Sequence, residues 1–520
     1  MNDETGAADA QPNIGHEIGE HNVQTLGLDI HNPVFAISAI LAITFVVGTL
    51  LFQEAATQLF GDMRVWITTT FDWFFVISAN LFVILCFAVA FSKLGRVRLG
   101  GSEARPKYTD PAWLAMLFAA GVGIGLMFFG VLEPVTHTLI PPLGIDPADV
   151  ASARAAGMSS AIFHWGLHAW AIYAVVGLSL AFFSFNQGMP LTLRSAFYPL
   201  FGKAVWGPLG HLIDVLAVLA TLFGLATSLG IGAGQIAGGL NYLFDLPAGI
   251  TTKIILIAVI ICIALGSVIA GLDKGVKRLS ELNLALAAGL LLFVLFAGPT
   301  LVILAATAQA TVDYAYYLPQ LSNWIGRDDF AFLHGWTTFY WAWWIAWSPF
   351  VGMFIARVSY GRTVREFIVW VLIIPTMIGI LWMSTFGGTA LEQLINDGYR
   401  GVADSVPELA LFKMLEGLPF TKIVSGISIF LIALFFVTSA DSGSLVVDTI
   451  TAGGKMDAPV KQRVFWCVLT GLVAIALLLG GGIASLQALT ISIGLPFCVV
   501  LLVMCVGLVK GLFAESKQGH

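Results

Sequence analysis

The segment FYWAWWIAWSPF sets Trp341, Trp343, Trp344 and Trp347 close together inside a long apolar run, and HWGLHAWAIY adds Trp165, Trp170 and Tyr173 inside another. Membrane tryptophans ordinarily gather at the water interfaces, where the indole N–H finds a partner. Rings in mid-run need another purpose. At 100° per residue, Trp343, Trp344 and Trp347 fall within an arc of about 100°, and Trp165, Trp170 and Tyr173 within about 140°. Two such faces meeting would form a box of π surfaces. A trimethylammonium group cannot donate a hydrogen bond, so ring faces recognise it rather than a carboxylate fork. Each ring contributes ~0.5–1 kcal/mol when exposed and ~2 kcal/mol or more when dry, which corresponds to affinities between roughly millimolar and micromolar. The alternative is ordinary aromatic packing between helices.

A helix crossing lipid has no reason to carry glycines, prolines and hydroxyls at its middle unless its backbone opens there. GVGIG, with Gly121, Gly123 and Gly125, and WSPFVG, with Ser348 and Pro349, are such interruptions. Alternating glycines let a chain unwind or a second helix approach closely, and Pro349 removes a backbone donor. In FFVTSADSGS, the adjacent Thr438 and Ser439 could join carbonyls freed at GVGIG around a small hard cation, or simply bond back to the preceding turn.

The other polar groups point less clearly. His164 and His168, at i and i+4, have no third ligand in their run and read as polar helix contacts. Glu133 and Asp214 are costly at membrane depth and so are candidates for a functional role, the alternative for Glu133, beside Pro134 near a helix end, being that it simply reaches water. Cys86, Cys262, Cys467, Cys498 and Cys505 lack paired spacing and read as small packing residues. GVGIG lacks the dinucleotide-loop spacing, and no HExxH, GxSxG or phosphate loop stands in a suitable context, so an enzyme is not expected. Nothing calls for a cofactor or a nucleic-acid partner.

These groups must be positioned by membrane helices. The chain is 58% hydrophobic and 11% charged, whereas soluble domains run near 45–50% and about 25%. Twelve apolar runs are expected to cross a bilayer, near residues 34–54, 72–92, 111–134, 158–184, 207–242, 252–272, 282–308, 333–357, 366–386, 421–450, 464–481 and 484–509. The barrel pattern of short alternating strands is absent, so the fold is all-α and polytopic. With both termini cytoplasmic, most of the 25 Lys and Arg fall on inner connectors, among them Lys93, Arg96, Arg98, Lys274, Arg278, Arg362 and Arg365. An acidic leader, residues 1–33, reads as a solvated tail rather than a signal peptide. Residues 34–110 hold two peripheral helices and a basic loop, 111–308 a first five-helix repeat, 309–332 an amphipathic outer connector, 333–513 a second repeat, and 514–520 a short tail. The interrupted third and eighth runs occupy corresponding positions in the two halves, the pointer to an inverted-repeat transporter with a midplane site.

The motifs GVGIGLMFFGVLEP, HWGLHAWAIYAVVGLSLAFFSF, FYWAWWIAWSPFVGMFIARVSYGRTVREF and FFVTSADSGSLVV together resemble the betaine/choline/carnitine transporter family. The likeness runs from about residue 34 to residue 510. It implies two extra helices before a ten-helix core of the leucine-transporter type, assembled as a homotrimer in a bacterial inner membrane. It implies an onium box of Trp165, Trp170 and Tyr173 closed by Trp344, with Trp347 on the cytoplasmic side of the route and the glycine-rich stretch against the substrate. Sodium-coupled members place an ion at positions matching the carbonyls of Ala119, Val122 and Phe435 and the hydroxyls of Thr438 and Ser439. A second ion would use Thr221 and Phe350, but the partner threonine one turn on is Leu225 here. Choline-preferring members tend to carry an acid at the position of Gly125, so the resemblance implies a zwitterion.

Function expected on these grounds is uptake of a methylated onium zwitterion, glycine betaine or similar, by sodium symport with alternating access. The rivals are sodium-independent exchange or proton-coupled carriage of carnitine- or choline-type solutes, and a membrane sensor that binds without transport.

Overall fold

The computed structural model describes residues 16–121, 123–270 and 273–518. A small antiparallel hairpin, β1 (Asn22–Thr25) and β2 (Leu28–His31), comes first. Its two turn residues, Leu26 and Gly27, both take positive φ, the backbone that matches a two-residue loop to strand twist. The helices follow: α1 (Asn32–Leu51), α2 (Gln53–Phe91), α3 (Asp110–Gly121), α4 (Ile124–Leu139), α5 (Val150–Trp165), α6 (Leu167–Phe185), the short α7 (Tyr198–Phe201), α8 (Pro208–Phe244), α9 (Ile250–Ala270), α10 (Asp273–Ala297) and α11 (Thr300–Leu321). Then come α12 (Phe330–Phe332), α13 (Thr338–Val358), α14 (Val364–Ile395), the short α15 (Ala410–Leu415), α16 (Thr421–Thr451), α17 (Val460–Leu479) and α18 (Ile483–Gln518).

Ten helical stretches among the described residues are long and apolar enough to cross a membrane, with α5 and α6 counted as one. The protein is therefore an all-α, multi-pass membrane protein. The break between α3 and α4 leaves pieces of 12 and 16 residues, each short of the roughly 20 that span hydrocarbon. The apolar window of the α5–α6 stretch is 94% buried, against 28% for those of α9 and α10. It lies at the centre of the bundle, with α13 packed along α6 and also against α8 and α18. Gly177 and Gly352 make the α6–α13 crossing possible: a Cβ on Gly352 would stand 3.0 Å from the Gly177 nitrogen.

The backbone interruptions differ from those read in the sequence. The GVGIG break is present, with α3 ending at Gly121 and Gly123 capping α4 in extended conformation. No break occurs at Pro349, because α13 runs through it. The hydroxyl of Ser348 donates to the Ile345 carbonyl at 2.7 Å, which satisfies the acceptor that the missing Pro349 N–H leaves open. Irregularity appears instead one turn before α13, as a π turn over Leu333–Thr337. A further break at Gly166 divides the fourth run into α5 and α6. There the Leu167 N–H is taken by the Tyr314 hydroxyl of α11 at 3.3 Å. The seventh run also ends early, at Ala297, because Gly298 and Pro299 start α11 anew.

The acidic leader is not a solvated tail over residues 22–31. Asp29 meets Lys455 at 2.5 Å and its N–H donates to Gln462 at 3.2 Å, while Asn22 donates to the Ala452 carbonyl at 2.9 Å. These contacts pin the hairpin to the turn between α16 and α17. At its end His31 is buried beside Arg194, 3.3 Å from the guanidinium. Burial first, then the Arg194 charge, push the His31 imidazole down to about 3, with His211, His21 and His16 acting in the same direction. A depressed imidazole pKa means that the docked state prefers the neutral ring. Its contribution is complete above the ordinary value of 6.5 and is lost as pH falls through the window toward 3. We expect a nitroxide on Leu26→Cys, with the native cysteines replaced by serine, to become more mobile between pH 7.5 and pH 5. Equal mobility at both values would show that His31 does not control docking.

Candidate functional site

One cavity of about 290 Å³ lies where α4, α5, α6, α13 and α16 converge. Trp165, Trp170, Tyr173, Trp343, Trp344 and Trp347 all border it. Sequence periodicity placed these rings on common faces, and the structure brings them together, but not as an empty box. The Trp344 ring stands 5.2 Å from Trp165, 6.1 Å from Trp170 and 5.0 Å from Tyr173, at interplanar angles of 80°, 56° and 64°. Trp344 thus occupies the middle of one continuous aromatic wall. The Gly166 break is the reason, since it puts Trp165 on a different helix from Trp170 and Tyr173 and removes the common arc that an unbroken helix would give.

The glycines fix ring positions. A Cβ on Gly125 would lie 2.0 Å from the Trp165 ring edge, and one on Gly224 would lie 2.9 Å from Trp347. Gly123 also borders the cavity, yet a Cβ there would meet nothing within 4 Å. Gly121 is the last residue of α3. The indole N–H groups of Trp343, Trp344 and Trp347 are buried without a hydrogen-bond partner in the protein. Each unmet donor costs about 1–3 kcal/mol, and a ligand bearing acceptor oxygens would relieve that cost.

Ala119, Phe435, Thr438 and Ser439 border the same cavity. The Thr438 hydroxyl reaches the Leu434 and Phe435 carbonyls at 3.0 and 3.1 Å and accepts a long bond from Asn283 at 3.4 Å. The Thr438 hydroxyl thus bonds back to the preceding turn, and Ala119, Phe435, Thr438 and Ser439 share the cavity border, while Val122 lies outside the described residues. The second expected pair is not assembled in this way. Phe350 borders the cavity, whereas the Thr221 hydroxyl is spent on the Ala217 carbonyl at 2.8 Å. Leu225 fills the neighbouring space so closely that a Cβ on Gly443 would stand 2.3 Å from its methyl.

Sequence reasoning missed the polar cluster behind Trp165. Glu133 does not reach water: it is fully buried. Its Oε2 accepts from the Trp165 indole at 2.9 Å and the Tyr340 hydroxyl at 2.6 Å. Its Oε1 pairs with His164 Nδ1 and lies 3.4 Å from His137 Nε2. His164 Nε2 in turn meets Thr337 at 3.0 Å. An acid within an apolar run was the available signal. His168 turns away to Asn80 at 2.9 Å, so the two histidines share no ligand. Asp214 is explained by structure alone, as it binds the Arg194 side chain at 2.5 Å and its backbone N–H at 3.2 Å.

A multi-pass helical bundle with broken helices meeting at a central, ring-lined cavity is the architecture of a solute carrier. A family model described as betaine/carnitine/choline family transporter matches residues 33–517. The chain is 54% identical to a glycine betaine/proline/choline transporter of Vibrio parahaemolyticus over 96% of its own length and 94% of the relative's. It is 50% identical to glycine betaine transporter 1 of the same organism, over 96% and 97%. With the high-affinity choline transport protein of Escherichia coli it shares 43% identity over 94% and 73%. The chain belongs to the betaine/carnitine/choline transporter family; it is a transporter and not an enzyme.

The two glycines of the break should respond differently. Gly125→Ala should still yield folded protein but lose most binding of a radiolabelled onium solute, because Trp165 must move, whereas Gly123→Ala should bind nearly as well as wild type. A scintillation proximity assay on purified protein separates them, and equal loss in both would argue against the Trp165–Gly125 contact as the cause.

Proposed function

We propose that the protein takes up a methylated onium zwitterion, glycine betaine or a close relative, by sodium symport with alternating access. The carrying observation is a cavity bordered by six aromatic residues, three of which, Trp343, Trp344 and Trp347, have indole N–H groups without a hydrogen-bond partner in the protein. A trimethylammonium head suits the ring faces, and a carboxylate suits the donors. The names of two relatives lead with glycine betaine, and one of these also names proline and choline. Gly125 favours the zwitterion over choline, since Trp165 leaves no room for an acidic side chain at that position.

In this reading twelve spans cross the inner membrane with both termini cytoplasmic. The α3–α4 pair and α13 complete the count, the last ten spans form two inverted five-helix repeats, and three copies assemble. A zwitterion carries no net charge, so the membrane potential alone cannot concentrate it. One Na⁺ moving inward supplies about 2.3 kcal/mol per 100 mV, a concentration ratio of several tens. The ion sits between the glycine-rich break and Thr438 and Ser439. Leu225 supports a single ion per cycle. Binding of each ligand favours the state that the other prefers.

Trp344→Leu and Tyr173→Leu should each raise the Km for glycine betaine several-fold in proteoliposomes with expression intact. Unchanged uptake kinetics in both would defeat the onium reading. Ser439→Ala should weaken the sodium activation of uptake, and a sodium titration matching wild type would remove that site. Competition by choline, proline and carnitine against labelled glycine betaine, with sodium or potassium outside, separates the substrates and exposes sodium-independent exchange.

A further inference from the structure

We infer that Glu133 acts through Trp165: its buried carboxylate fixes the indole from behind and makes that ring a stronger seat for a methylated cation. The inference rests on the proposed onium reading of the cavity.

Trp165 is held at both ends. Its N–H donates to Glu133 at 2.9 Å, and its far edge lies flush against Gly125, where even a methyl group would collide. Between these two contacts the ring borders the cavity and meets Trp344 at 5.2 Å. Among the described residues, the only ion-pair partners of Glu133 are His164 and His137. Among those residues no lysine or arginine stands at contact distance from it. Retaining a carboxylate at this depth is costly, and a structural brace between α4, α5 and α13 could be made from neutral amides.

The charge does something an amide cannot. A hydrogen bond to an ionised acceptor is roughly twice as strong as a neutral one, and bonds in series polarise one another in a low-dielectric interior. An indole whose N–H leans on a carboxylate carries more electron density on its ring, and a cation is drawn to that negative face. Tyr340 and His164 complete the shell of the carboxylate, so its charge is directed through protein groups rather than screened by water. Glu133 is thus a positioning residue that favours a charged onium head over an uncharged group of the same shape.

The test uses that distinction. Glu133→Gln keeps an oxygen for Trp165 and Tyr340 but removes the charge. Substrate is radiolabelled glycine betaine, and the competitor is 3,3-dimethylbutanoate, in which carbon replaces the quaternary nitrogen. In proteoliposomes we expect Glu133→Gln to raise the glycine betaine Km several-fold, up to about tenfold, with Vmax within about twofold, while the inhibition constant of the carbon isostere changes far less. In a Trp165→Phe background, which has no N–H to offer, Glu133→Gln should change Km little, the signature of coupling between the two side chains. Equal weakening of both ligands, or the same loss in the Trp165→Phe background, would reduce Glu133 to a brace and overturn the inference. Should Glu133→Gln not reach the membrane, Trp165→Phe alone must lower the preference for betaine over its isostere, and an unchanged preference overturns the inference. If Trp344→Leu and Tyr173→Leu also leave Km untouched, the cavity reading itself fails. If they raise it while Glu133→Gln does not, only the role of Glu133 fails.

Discussion

Polar groups that leave their helical partners inside an apolar slab must be met by something close at hand, and the arrangement around the cavity follows from that requirement. At Pro349 the Ser348 hydroxyl repairs the ladder locally, so α13 stays intact and delivers its indoles from one rigid rod. At Gly166 the repair comes from Tyr314 on another helix, so the chain can bend and turn Trp165 away from Trp170. At GVGIG the glycines allow the backbone to open beside the cavity, with Thr438 and Ser439 bordering the same space.

Aromatic groups here do two jobs with different parts of the same side chain. Ring faces suit a methylated cation, which forms no hydrogen bonds, and indole N–H groups suit an anion. Trp343, Trp344 and Trp347 keep their N–H groups free of protein partners, whereas the Trp165 N–H is committed to Glu133 and the Trp382 N–H to the Leu126 carbonyl at 3.1 Å. Committed indoles are fixed in place, and the three uncommitted ones belong to residues that border the cavity.

Buried charges follow two patterns. Asp214 pairs with Arg194 near the docked hairpin, an ion pair that joins the segment before α7 to α8. Among the described residues Glu133 has no arginine or lysine at contact distance and is surrounded by an indole, a phenol and two imidazoles. A buried carboxylate held only by histidines, an indole and a phenol is expensive at depth, and this one stands directly behind a ring that borders the cavity.

Local composition determined much of this protein without any coordinates. Apolar runs, the glycine break, the chemistry of mid-membrane tryptophans and the adjacent hydroxyls of Thr438 and Ser439 are properties of short stretches, and periodicity reads them. Tertiary structure decided which of them meet. Glu133 finds Trp165 and Tyr340 from distant segments, and the hairpin of the acidic leader finds Lys455 across most of the chain. At Pro349 the adjacent Ser348 hydroxyl meets the freed carbonyl locally, whereas at Gly166 the Leu167 N–H is met by Tyr314 from a distant segment, and only folding brings that hydroxyl within reach, which sequence spacing alone does not measure.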